Sequence, residues 1–166
     1  MTDLSMLNDD ITKLMSEVNS LHIASLTGTS VPLATYTPFA VDEDLKGFWI
    51  LISELSQHAQ NLKASPTCSV MIVRDEQDCK QIYARERVQF EMQAIEISRD
   101  KPEWSIGINR LKQRHGKLLS LLEQLADFRL FHLLPQSGRY VIGFGQAYEL
   151  FRKSLNEIDH QLTGPA

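Results

Sequence analysis

Five histidines, a few arginines at strand ends and one aspartate after a helix are the side chains of this 166-residue chain best suited to chemistry. Neutral imidazole ligates metals and moves protons near neutral pH, so each histidine is weighed against the commoner structural role. His22 sits among apolar strand neighbours and reads as structural. His58 opens a short helix, where capping, phosphate binding and cofactor contact all stay open. His115 reads as a partly solvated helix face. His132 shares a strand face with Phe128 and Leu130 and reads as a core histidine. His160 lies in a polar C-terminal tail. Arg85 and Arg87, in YARERVQF, begin a long strand, and Arg139 begins another. Guanidinium forks grip carboxylate or phosphate in bidentate fashion; from spacing alone, solvated strand ends fit equally well. Asp127 follows a long helix, where its charge opposes the helix dipole. A partner is therefore expected for it: an arginine, a histidine or a water, with a solvated carboxylate as the plainer alternative.

The segment Asp127–Tyr148, DFRLFHLLPQSGRYVIGFGQAY, stands out for a different reason. Its pattern predicts strands either side of a turn at PQSG. Along Arg139–Tyr148, strand alternation puts Tyr140, Ile142, Phe144, Gln146 and Tyr148 on one face. Val141, Gly143, Gly145 and Ala147 fall on the other, nearly bare. Glycine inside a strand costs stability and marks a bulge or a close approach, so something flat or bulky is expected over Gly143 and Gly145. Gly143-Phe144-Gly145 lacks the third glycine and the following helix of a dinucleotide loop. GxSxG, HExxH and P-loop patterns are absent, and no nucleophile stands out among the serines.

The elements that must position these residues follow from periodicity. Asp3–Val18 reads as an amphipathic helix through Leu7, Ile11, Leu14, Met15 and Val18. Leu21–Leu26 and Leu33–Val41 read as a hairpin about TGTSVP. After a turn at Asp42–Gly47 comes the apolar strand Phe48–Ile52, then a helix over Ser56–Ala64, capped by Ser56 and ended by Pro66. Thr67–Val73 is a strand and Arg74–Asp78 a surface loop. Arg87–Ile97 is a long strand whose apolar phase slips between Ala94 and Ile95, as a bulge produces. A helix runs from Pro102 to about Ala126, with Gly107 and Gly116 interrupting it. Leu150–Ala166 is polar and weakly patterned. Short connections and antiparallel pairs point to a mainly β fold, a closed or nearly closed antiparallel barrel with peripheral helices. The expected division is a barrel domain over 1–149, with its N-terminal helix, and a tail over 150–166.

Composition narrows the class. The length suits one domain with a real core. A net charge of −4 and a pI near 5.7 give no positive field for nucleic acid. No stretch approaches the roughly 20 apolar residues of a membrane span, and the start lacks the basic and apolar runs of a secretory signal. Cys68 and Cys79 form no CxxC pair, which fits a reducing, cytoplasmic setting and no structural zinc.

Four segments together resemble the HugZ/HutZ group of haem-iron utilisation proteins, within the pyridoxamine-phosphate-oxidase-like, FMN-binding split-barrel proteins. They are Leu21–Phe39, Ile50–Pro66 with its His58–Asn61 pair in HAQN, Lys80–Phe90, and Leu125–Tyr148 ending in GFGQAY. They cover most of the chain in order, and the last is the most specific. The resemblance implies a split antiparallel β-barrel, a homodimer and ligand sites at the subunit interface. It implies haem iron held by a histidine near the C-terminus, tuned by an aspartate matching Asp127. It implies an arginine matching Arg87 on haem propionates or flavin phosphate. The relatives' late Gly-His pair corresponds here to Gly164-Pro165, and proline cannot ligate iron. His160 is the tail's one histidine and becomes the expected iron ligand.

Three functions follow from the resemblance. The first is a cytoplasmic haem-degrading protein supplied by an external electron donor. In it His160 is the ligand, Asp127 the catalytic carboxylate and Arg87 the propionate contact, with Gly143 and Gly145 as packing surface. The second is an FMN-dependent oxidoreductase with phosphate contacts from Arg87 and Ser53–His58, beside Asn61. The third is a haem carrier or storage dimer without turnover. Nucleic acid and membrane insertion are expected in none of them.

Overall fold

The computed structural model describes residues 3–164. Its elements are helices α1 (Leu4–Glu17), α2 (Gln57–Ala64), α3 (Pro102–His115) and α4 (Leu118–Leu122). The strands are β1 (Ser20–Leu26), β2 (Pro32–Pro38), β3 (Ala40–Val41), β4 (Phe48–Ser53), β5 (Thr67–Val73), β6 (Arg87–Ile97), β7 (Phe128–Gly143), β8 (Gln146–Leu150) and β9 (Ile158–Gln161). All nine join one antiparallel sheet in the order β2-β1-β5-β6-β7-β4-β3, with β8 and then β9 added alongside β7. The sheet curls but does not close: β2 and β3 end the path yet follow each other in the chain through Phe39.

Alternation explains how one sheet carries two cores. In β4, Phe48, Ile50 and Ile52 point inward to the main core, beside Phe39, Phe90, Phe131 and Tyr140. Trp49 and Leu51 point outward, where α3 and α4 cover them with Trp104, Ile108, Leu111 and Leu119. The strand is apolar throughout because both of its faces are buried. Helix α1 plugs one side of the main core with Leu7, Ile11, Leu14 and Met15, the face its periodicity foretells. Ser56 caps α2, its hydroxyl accepting from the Ala59 amide at 3.4 Å.

Several expected elements differ. The strand expected over Leu33–Val41 breaks at Phe39, because its two halves pair with β1 and β4 on opposite ends of the sheet. The long helix ends at His115: Gly116 takes φ +81°, a left-handed stop that only glycine adopts freely, and α4 begins anew. The slip expected at Ala94/Ile95 is instead a register shift between Glu91 and Met92, where Gln136 of β7 has no opposite residue. That bulge also removes the turn expected at PQSG, since Pro135 is accommodated beside it and β7 runs unbroken for 16 residues. The turn comes later, at Phe144-Gly145, with Gly145 at φ +66°. The surface loop Arg74–Asp78 contains a short 3-10 turn at Glu76–Asp78. The polar tail is anchored: Leu155 and Ile158 are buried, and the Ile158 amide donates to Asn8 Oδ1 of α1 at 3.0 Å.

Candidate functional site

The candidate residues separate into two groups, one at each end of β7. The first gathers where β4 ends and β7 begins. Antiparallel pairing sets Ser53 opposite Phe128, so Asp127 arrives beside Ser53. Ser53 Oγ donates to Asp127 Oδ2 at 2.7 Å, and the Glu54 amide donates to the Asp127 carbonyl at 2.6 Å. The partner of Asp127 is thus a serine, outside the arginine, histidine or water expected for it. Next to it, Glu54 accepts from Lys63 at 2.6 Å and from Arg129 at 2.8 Å. These hydrogen bonds, Lys63 first, hold the Glu54 carboxyl below its ordinary range.

Helix α2 follows directly and docks on the same end. His58 Nδ1 lies 2.8 Å from Thr35 Oγ1, and burial pushes the imidazole pKa down. A neutral ring tied to a threonine is a poor phosphate clamp. Asn61 is 2% exposed; its amide nitrogen donates to Ser25 Oγ at 3.0 Å and its oxygen accepts from Gln57 at 2.9 Å. The cofactor contact expected of Asn61 falls on a deeply buried side chain, which here pins α2 to β1.

The second group lies past the bulge, on the outer face of the sheet. Register places Gln89, Arg139, Glu149 and His160 in one row across β6, β7, β8 and β9. A cleft of about 280 Å³ opens along it, between Ser69, Gln89, Glu91, Ser137, Arg139 and Glu149. Arg87 begins β6 two residues before Gln89, with Nη1 donating to the Arg85 carbonyl at 3.0 Å. His160 is exposed, and its Nδ1 lies 3.0 Å from Asp159 Oδ2. Adjacent residues of a regular strand face opposite ways, but between Glu149 and Leu150 the β8–β9 register shifts, leaving Asp159 unpaired. Such a bulge re-aims a side chain, and here it accompanies a carboxylate on the imidazole. Gly143 ends β7 and Gly145 lies in the turn, so the two share no strand face; a Cβ on Gly143 would meet Gln146 Oε1 at 2.8 Å. The continuous strand face expected there does not form, because β7 ends at Gly143 and the chain turns at Gly145. Pro165 of the Gly164-Pro165 pair lies outside the described residues.

Three groups escape sequence reasoning. Arg99 donates to the carbonyls of Glu123, Leu125 and Phe128, wrapping the turn that carries Asp127. No pattern signals an arginine that binds backbone more than 20 residues away. Asp159 beside His160 was legible as adjacent acid and imidazole, but the bulge that joins them was not. A third region is a cavity of about 490 Å³ between α1, the β3–β4 turn and α3. Arg110 and Arg114 line it, Arg114 capping the end of α1 through the carbonyls of Met15, Ser16 and Val18. Among the described residues no three histidine, cysteine or acidic side chains cluster as a metal site, and no helix is long and apolar enough to cross a membrane.

Known proteins resemble this chain in sequence and fold. Residues 7–142 match the family model of pyridoxamine 5'-phosphate oxidase. The chain is 35% identical over 158 residues to heme oxygenase HutZ of Vibrio cholerae, covering 95% of this chain and 89% of that one. Among solved structures, HutZ, described as the heme storage protein from Vibrio cholerae, superposes with a TM-score of 0.77 at 33% identity, over 83% of this chain and 97% of that one. ChuZ of Campylobacter jejuni shares the fold, with a TM-score of 0.86 at 24% identity over all of this chain and 67% of that one. With its split-barrel-like sheet and this similarity along nearly the whole length, the chain belongs to the pyridoxamine 5'-phosphate oxidase-like family, and within it to the HutZ group.

Proposed function

We propose that this protein binds haem as a homodimer and degrades it to release iron, drawing on an external electron donor. The observation that carries the reading is His160. It stands exposed on the outer sheet face, with Nδ1 against Asp159 and, among the described residues, no hydrogen-bond partner at Nε2. A ring nitrogen held by a carboxylate orients the other toward a metal and raises its basicity. The donor set therefore fits haem: an exposed imidazole, Arg87 for a propionate, and a row of sheet residues to lie against, in which Arg139 pairs with Glu149. When bound, haem supplies the oxygen chemistry itself; the chain supplies ligation, orientation and a carboxylate. Its kinship with heme oxygenase HutZ supports the same reading.

The separation of Asp127 from His160 supports the homodimer reading. Asp127 precedes β7, whereas His160 is in register, through Glu149, with Arg139. The separation is roughly 40 Å of strand contour. A second copy offers the way to bring one chain's Asp127 toward the other's His160. Storage without turnover is the second reading, favoured by the description of the solved HutZ as a heme storage protein. An FMN site is less well supported, because Ser53 and His58 are already bonded to Asp127 and Thr35.

Absorption spectra of the purified protein, alone, with haem and with FMN, test this. Haem is expected to give a Soret band that His160→Ala abolishes; a band unchanged in that variant removes His160 as the ligand. Loss of the band with ascorbate in air marks degradation, and a persistent band marks storage. Yellow flavin retained through purification would replace both readings.

A further inference from the structure

We propose that Ser53 is the positioning residue of Asp127, fixing its carboxylate so that only Oδ1 faces the ligand; this rests on the haem reading above. The Ser53 hydroxyl is oriented from two sides. Its oxygen accepts from the Leu55 amide at 3.2 Å, and its one proton goes to Asp127 Oδ2 at 2.7 Å. Among the described residues, this serine is the only hydrogen-bond partner of the Asp127 carboxylate. The neighbouring guanidinium of Arg129 is engaged by Glu54 instead.

The backbone of the turn is held by other means. The Glu54 amide binds the Asp127 carbonyl. Arg99 binds the carbonyls of Glu123, Leu125 at 2.7 Å and Phe128 at 3.1 Å, and its guanidinium lies 4.4 Å from the Trp104 ring. Removing the serine hydroxyl therefore leaves these backbone bonds of the turn in place; it frees the carboxylate's rotation and gives the exposed Leu55 amide over to solvent. A carboxylate bonded through both oxygens, or one without any bond, would lack this division of labour. Here one oxygen is anchored and the other is available to a hydrogen-bond donor such as a liganding imidazole.

The test compares wild type, Asp127→Ala, Ser53→Ala, Ser53→Thr and the double variant Ser53→Ala/Asp127→Ala. Haem affinity and the rate of Soret loss with ascorbate in air are measured for each. Groups that orient a metal's ligands change affinity or activity by about tenfold or more, so that loss is expected for Asp127→Ala and for Ser53→Ala. The double variant is expected to match Asp127→Ala, and Ser53→Thr to restore wild-type behaviour. Should Asp127→Ala behave as wild type, the role of Asp127 in the haem reading fails. Should Asp127→Ala be impaired while Ser53→Ala is not, or should the two losses multiply, the positioning role fails and the haem reading stands. A further measurement needs no haem: the ¹³C resonance of the Asp127 carboxylate is expected to move in Ser53→Ala and return in Ser53→Thr. An unmoved resonance overturns the inference whether or not haem binds.

Discussion

The two ends of β7 are built on different principles. At the Asp127 end, contacts from several elements converge: Ser53, the Glu54 amide and Arg99 hold the turn, and Asn61 and His58 pin α2 beside it. At the His160 end, the ligand candidate rides on β9, a four-residue edge strand paired only with β8. Beyond that pairing it is held by Ile158, 4% exposed, by two polar bonds to α1, from the Ile158 amide to Asn8 and from Asn156 to Thr12, and by bonds from Gln161 to the Gly145 carbonyl and from the Leu162 amide to Ala147. An edge strand keeps unpaired backbone groups and is open to another chain. The carboxylate is held by a hydrogen bond from a neighbouring strand, whereas the imidazole is exposed and bonded to its own sequence neighbour.

The sharpest way to break this contrast is to loosen the weaker end. Truncating a buried isoleucine costs about 2–5 kcal/mol, the lower figure applying where the site collapses easily. Ile158→Ala is expected near that lower figure in urea denaturation, with faster amide exchange confined to β9 and the Leu150–Glu157 connection. Haem affinity should fall with it, since His160 loses its place in the row. Affinity that stays intact would show that the position of His160 on the sheet is irrelevant to ligation. Asn61→Ala probes the other end. It strands the buried Ser25 hydroxyl, which costs about 1–3 kcal/mol, and is expected to lower stability while leaving haem affinity unchanged. A tenfold loss of affinity in that variant would place Asn61 at the ligand, against its burial.

The sequence foretold these two ends unequally. The Ser56 cap, the apolar strand Phe48–Ile52 and the amphipathic α1 were legible because each is a local pattern. The family, too, was legible from ordered segments. What escaped was set by register. PQSG has turn chemistry, yet the bulge opposite Glu91 and Met92 lets Pro135 sit in a continuous strand. GFGQAY reads as a strand with a bare face, yet Gly145 at φ +66° turns it. Leu155 and Ile158 are too widely spaced in a polar tail to announce a strand, and α1 supplies the core that buries them. Ser53 and Asp127 are 74 residues apart, so their bond follows only from the β4–β7 pairing. Tertiary pairing thus decided the site, where local propensity decided the helices and most strands.

Acid offers the mildest way to sharpen the comparison, because the two ends should respond in different order. His58 is half-buried, and burial lowers its pKa from the ordinary 6.5. The folded state therefore favours the neutral ring, while the unfolded chain takes up a proton near 6.5. The stability this contributes is complete above pH 6.5 and is lost as pH falls from there through the depressed folded value. His132, stacked on Trp49 at 3.9 Å between ring centroids, is lowered by burial and partly restored by Asp42, so it acts in the same direction. His58→Gln keeps a polar group near Thr35 without the titration, and is expected to flatten part of the acid loss. Hydrogen exchange followed from pH 7 to pH 5 should show α2 amides loosening in wild type and less so in His58→Gln, with β9 unaffected by the substitution. If β9 tracks α2 in both proteins, the two ends are one cooperative unit, and the division drawn at the bulge of β7 does not extend to their stability.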